Sequence, residues 1–237
     1  SGVARLGWSA VGQAQLMSMF GHELAAVRRG SRLEVGRLNI DRPTFVEMNL
    51  DFFTTLVGHP VDGIIGYDVL ARARVEVDLA GDRVSVRDPA RDEHEPDQEP
   101  VAWRPLLLHR HHPVFPARFE GGHEGLFRLD LGAGGGPFAN VMLHAPTVSA
   151  LGLLENRDVV TKEQYTLHYA SGHLEWFELA GHRFEHPEVA FSMDTIGPGA
   201  DPYVMGNIGL SFLRPFRILF DYPHRRLALV ERFASEG

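Results

Sequence analysis

Apolar and polar positions alternate with a period of two over residues 74–86, RVEVDLAGDRVSV, and again over 216–230, FRILFDYPHRRLALV. Such alternation puts one row of side chains on a buried face and the other in water, as a half-buried strand does. Turn formers interrupt both runs, at Ala80-Gly81-Asp82 and at Tyr222-Pro223-His224, so each run predicts a hairpin. Short runs of this kind recur along the chain between Gly or Pro, while helical periodicity is confined to pieces such as APTVSALGL at 145–153. The pattern predicts an all-β protein with a few short helices.

The two hairpin runs also match each other. GIIGYDVLARARVEVDLAGDRVSV from Gly63 lies over GNIGLSFLRPFRILFDYPHRRLAL from Gly206 at an offset of 143, with seven identities: Gly63 with Gly206, Ile65 with Ile208, Gly66 with Gly209, Leu70 with Leu213, Arg74 with Arg217, Asp78 with Asp221 and Arg83 with Arg226. Upstream, LEVGRLNIDRP from Leu33 lies over FELAGHRFEHP from Phe177 at an offset of 144, and Leu6-Gly7-Trp8 over Leu151-Gly152-Leu153 at 145. The matches are collinear and drift by as little as small loop insertions give. A duplicated lobe is the expectation.

Charge divides the copies. Of the formal net charge of −8, a net of −5 lies in DPARDEHEPDQEP at 88–100, with six acids, one Arg and three prolines. Proline breaks helix and ladder alike, and like charges extend the chain, so this segment reads as a solvated linker between a lobe at 1–87 and a lobe at 101–237. The near-neutral remainder carries no basic footprint for nucleic acid. No apolar run reaches the roughly 18 residues of a membrane span, and no signal-type segment opens the chain. The chain has no Cys, which excludes disulfides, thiolate metal sites and cysteine nucleophiles.

Candidate chemistry centres on GLFRLDLGAGGGPF at 125–138, one Asp followed by a glycine cluster. A phosphate cradle fails because Pro137 stands where G-x-G-x-x-G needs its last glycine. A turn-forming Asp is the plain reading, and a carboxylate presented by the turn is the chemical one. His109, His111 and His112 in LLLHRHHPVF lack a further ligand at metal-binding spacing and read as a solvated strand end. Asp62, Asp68, Asp78 and Asp221 read as turn or hairpin residues.

A strand ending in Asp130-Leu131-Gly132-Ala133, the ALGL helix after it, and an apolar-apolar-Gly step before a hairpin together resemble the retropepsin-like aspartyl proteases. IGLSFLRPF and FDYPHRRLAL look closest to the two-lobed bacterial members. The resemblance covers nearly the whole chain outside the linker. It implies the acid-protease fold, two retropepsin- or pepsin-like β-lobes, each giving one Asp to a shared site that hydrolyses a peptide or protein substrate with no metal or other cofactor. Asp130 is then the catalytic residue, Leu131, Gly132 and Ala133 its loop, and Ile64, Ile65, Gly66, Ile208 and Gly209 the lobe motifs supporting the site. Gly21 and Gly172 fall where the family has flap hairpins. By the repeat register, the counterpart of Asp130 is expected about fifteen residues ahead of Ser1. Relatives are often exported, which implies a periplasmic or extracellular setting. One departure stands out: the family has Thr or Ser at position 131, whose hydroxyl ties the two active loops together, and this chain has Leu. The alternative expectation is therefore a pseudoprotease, a β-module that binds peptides without cutting them.

Overall fold

Both alternating runs close as strand pairs in the computed structural model, which describes residues 7–18, 21–89, 102–164 and 167–232. From residue 90 on, the acidic segment lies outside the described residues. The chain groups into two compact units, one drawn from Ser1–Arg74 and Val86–His94, the other from Val75–Ser85 and Glu95–Gly237.

In the first unit β1 (Ala10–Ser18) and β2 (Gly21–Arg29) form an antiparallel hairpin. A second hairpin, β3 (Arg32–Val35) with β4 (Leu38–Asp41), precedes β5 (Thr44–Val46), which returns to pair with β2. Ala25, Leu38 and Ile40 are buried, and the Trp8 ring packs on Phe45 with centroids 5.1 Å apart. Gly30 makes room for that contact, since a Cβ there would stand 2.8 Å from the indole. Two short helices follow, α1 (Asp51–Val57) and α2 (Tyr67–Leu70). α1 stops at Gly58, whose left-handed backbone (φ 76°) lets its N–H close on the Thr54 carbonyl.

The second unit is built on two sheets. One orders its strands β7-β6-β19-β20-β8, with β6 at Arg74–Asp78, β7 at Arg83–Arg87, β8 at Arg104–Pro105, β19 at Phe216–Asp221 and β20 at Arg226–Glu231. The other begins with β9 (Leu107–His109), β10 (His112–Phe119) and β11 (His123–Leu129). It continues through β12 (Val141–Leu143), the helix α3 (Ala145–Ala150), β13 (Val160–Gln164) and β14 (Leu167–His173). β15 (Trp176–Leu179), β16 (His182–Glu185), β17 (Glu188–Ser192) and β18 (Gly206–Ile208) complete it, and α4 (Leu210–Leu213) follows. The spatial order is β13-β14-β17-β12-β18-β11-β10-β15-β16. An aromatic cluster fills the core: Phe127 meets Phe177 edge-on at 5.3 Å, and Phe177 meets Phe212 at 5.4 Å. Burying each such ring stabilises the fold by about 1.5–3 kcal/mol. Strands thus dominate the regular structure, with only short helices among the described residues, as the alternation predicts.

Local geometry recurs at the spacing of the sequence repeat. Asp78 accepts the Gly81 N–H at 2.8 Å and Asp221 the His224 N–H at 3.3 Å, so each hairpin turn is closed by the same side chain. Asp82 and Arg225, which follow in those turns, both have positive φ, 47° and 53°. In the first unit Gly30 N–H donates to the Pro43 carbonyl at 2.9 Å, and in the second Leu174 N–H donates to the Pro187 carbonyl at 3.1 Å.

Candidate active site

β11 delivers Asp130. Its strand runs to Leu129, and the next amide, Asp130 N–H, still donates to the Ile208 carbonyl at 2.9 Å. β18 lies between β11, to which it is parallel, and β12, to which it is antiparallel. The chain from Asp130 to Asn140 therefore has to pass the end of β18 to reach β12. Backbone bonds pin that passage: Ala133 N–H to the Asp130 carbonyl at 3.2 Å, Leu210 N–H to the Ala133 carbonyl at 3.0 Å and Gly209 N–H to the Asn140 carbonyl at 2.5 Å. Glycine at 206 and 209 permits the approach, because a Cβ at either would fall 2.2 Å from a carbonyl oxygen, of Met142 and Phe138 respectively.

The Asp130 side chain is half-buried, and both its oxygens accept hydrogen bonds. Gly132 N–H donates to Oδ1 at 3.1 Å, and the Asn207 amide Nδ2 donates to Oδ2 at 3.2 Å. Asn207 is itself held from behind, its Oδ1 lying 3.1 Å from Nε2 of His144, which is fully buried. The other ring nitrogen of His144, Nδ1, faces the Asp201 carbonyl at 3.3 Å. The Asp201 carboxylate in turn accepts from His109 at 2.9 Å, from Arg128 and from the Tyr203 N–H at 3.0 Å. A polar string thus runs from Asp130 through Asn207 and His144 to Asp201.

Leu131, Gly132 and Ala133 occupy the loop after Asp130, and Leu131 brings no hydroxyl to it. Ile208 and Gly209 are buried beside the loop. Ile64, Ile65 and Gly66 differ: they lie in no strand, Ile64 and Ile65 are 59% and 48% exposed, and no strand of the described residues covers them. Gly21 opens β2 and pairs with Ser18 beside a turn whose residues lie outside the described ones. Gly172 lies inside β14 rather than at a hairpin tip, paired with Val189 and packed against Val159. His109 is no solvated strand end, since it holds Asp201. Among the described residues no three His, Asp or Glu side chains gather as metal ligands. A cleft of about 650 Å³ opens beside α3, lined by Pro146, Val148, Met193 and Asp194 among others.

Burial, then the Arg128 charge, lowers the pKa of His144 below 6.5, and the same two causes lower His112. Burial pushes the Asp201 carboxyl up, but the Tyr203 N–H, His109 and Arg128 outweigh it and hold the group below its ordinary value of 3.8. Asp221 is lowered likewise, the Arg226 and His224 bonds outweighing burial. A depressed folded pKa stabilises the native state above the unfolded value and loses that stabilisation as pH falls through the folded one. Stability is therefore expected to drop first below pH 6.5, from the two histidines, and again below 3.8, from the two carboxylates. Denaturant midpoints measured from neutral to acid pH check this, and in His144→Gln the upper step should shrink.

No protein-family model and no curated protein matches this chain. Among the described residues no helix is long and apolar enough to cross a membrane. Among solved structures, the chain is similar to a retropepsin-like aspartic protease from Rickettsia conorii, at 17% identity and a TM-score of 0.39, over 55% of this chain and 91% of that one.

Proposed function

We propose that this chain forms the body of an aspartic endopeptidase in which a water is activated by two aspartates, one from each duplicated lobe, Asp130 being the second lobe's. The observation that carries the reading is the presentation of Asp130: a loop pinned to Ile208 of β18 and to Gly209 and Leu210 just after it offers a half-buried carboxylate with a hydrogen bond to each oxygen. Two carboxyl groups about 3 Å apart share one proton, because both cannot ionise readily. The ionised one takes a proton from the attacking water while the protonated one polarises the scissile carbonyl. No residue of the string has to form a covalent bond to substrate.

In this reading the second carboxylate belongs to the first copy of the repeat, about fifteen residues ahead of Ser1 by the register, and the open surface at Gly63 and Gly66 supports it. Gly63 and Gly66 repeat the spacing of Gly206 and Gly209, yet a Cβ on Gly63 would meet nothing within 4 Å and one on Gly66 only the Asp68 carboxylate at 3.2 Å. The recurring turns and positive-φ positions support the duplication. In this reading the cleft beside α3 would take substrate side chains. Leu131 favours a second reading, a module that binds peptides without hydrolysing them, since it lacks the hydroxyl that ties the loops.

Protein that includes the region ahead of Ser1 is expected to cleave unfolded peptides at acidic pH. Peptide binding without cleavage would leave the second reading standing. A coding sequence with no Asp-Thr-Gly or Asp-Ser-Gly about fifteen residues ahead of Ser1, where the register puts it, would remove the dyad.

A further inference from the structure

The His144 ring presents a hydrogen-bonding mismatch. Burial and Arg128 keep the imidazole neutral at neutral pH, so it carries one N–H. Both of its nitrogens nevertheless face oxygen atoms, Oδ1 of Asn207 and the carbonyl of Asp201. The orientation of Asn207 follows from Asp130: a carboxylate only accepts, so the amide must turn its NH₂ toward Asp130 and its oxygen toward His144. Of the two acceptors the Asn207 oxygen is the nearer, at 3.1 Å against 3.3 Å for the Asp201 carbonyl, so the proton sits on Nε2, and Nδ1 faces the Asp201 carbonyl with no hydrogen between them.

If the carboxyl gains a proton, the whole string can reverse. Protonated Asp130 donates from Oδ2 to the amide oxygen of a flipped Asn207. The amide NH₂ then donates to Nε2 of His144, and the ring proton sits on Nδ1 and donates to the Asp201 carbonyl. Solvent supplies one proton to Asp130. The ring gives up its Nε2 proton and takes one at Nδ1, with no net gain. Every member of the string has a partner in this second state.

We infer that Asn207 and His144 are positioning residues that hold Asp130 in both of its protonation states by reversing the direction of the hydrogen-bond string. They supply from within the second unit the loop anchor that Leu131 cannot. The charged groups facing the ring are Arg128 on β11 and Asp201 in the segment before β18, and neither has to change charge for the reversal. That the device serves catalysis rests on the reading of Asp130 as a catalytic carboxylate. The reversal itself does not.

The test is the nitrogen-15 spectrum of the histidine rings, which distinguishes the two neutral tautomers. At neutral pH the proton of His144 is expected on Nε2 in the wild-type protein and on Nδ1 in Asp130→Asn, whose amide donates as the protonated acid would. Asn207→Leu removes the competing acceptor, so the Asp201 carbonyl should select the Nδ1 tautomer there too, which gives a second readout should Asp130→Asn fail to fold. The same tautomer in wild type and both variants overturns the inference. For peptide hydrolysis, His144→Leu should lower kcat by about tenfold with little change in KM, and His144→Gln, whose amide can turn either way, should stay within about threefold of wild type. Equal losses in the two variants would reduce His144 to packing. A tautomer switch in a protein that cleaves nothing would retain the string and remove the peptidase reading instead.

Discussion

Replacing Asp130 by Asn is expected to lower peptide hydrolysis by about three orders of magnitude or more and to leave the second unit folded. The rate effect follows from the chemistry: an amide can neither take a proton from water nor deliver one to the leaving amine, and a positioned acid or base contributes about 10²–10⁴-fold on its own. The folded state survives because the substitution keeps the shape of the side chain. It also keeps a partner for each neighbour: the remaining side-chain oxygen still accepts from Gly132 N–H, and the new NH₂ finds the Asn207 oxygen once that amide turns. Kinetics on the purified variant, with its denaturant midpoint measured alongside, separate the two effects. An unaltered rate would take Asp130 out of the mechanism, and a collapsed midpoint would mean that the carboxylate serves the fold.

Asp130 was legible because its signals are local, a strand running into an Asp-x-Gly step. The hairpins at 74–86 and 216–230 were legible for the same reason, since alternation and turn residues act over a few positions. The rest of the site is not local. Asn207 is 77 residues from Asp130, His144 is 63 from Asn207, and Asp201 is 92 from His109. A lone His at the start of a short helix and a lone Asn before Ile-Gly carry no spacing that announces a partner. Only the placement of β18 between β11 and β12 brings them together. His109 shows the same limit from the other side, because its carboxylate comes from a segment that nothing in LLLHRHHPVF foretells.

Gly209→Ala is expected to destabilise the protein by about 3 kcal/mol, the upper end of what an overpacked site costs, whereas Gly66→Ala in residues 1–237 should fall within about 0.5 kcal/mol of wild type. The two glycines have nearly the same backbone, φ −89° and ψ −177° at Gly209 against φ −92° and ψ −178° at Gly66. That extended conformation is open to any residue, so conformational freedom explains neither glycine. Space separates them. A Cβ on Gly209 would stand 2.2 Å from the Phe138 carbonyl oxygen and 2.6 Å from backbone atoms of Ala139, and those atoms belong to the loop that carries Asp130. Relieving the clash has to break the Gly209 to Asn140 bond or push the loop outward, so activity should fall with stability. On Gly66 the one close atom is a side-chain oxygen of Asp68, which can rotate away. Thermal or denaturant unfolding of the two variants gives the comparison directly. It also tests the proposed second carboxylate: in protein that includes the region ahead of Ser1, a loop seated on Gly63–Gly66 as the second unit's loop is seated on Gly206–Gly209 would raise the cost of Gly66→Ala toward that of Gly209→Ala, and an unchanged cost would leave the first unit's Ile64-Ile65 edge without the partner proposed for it.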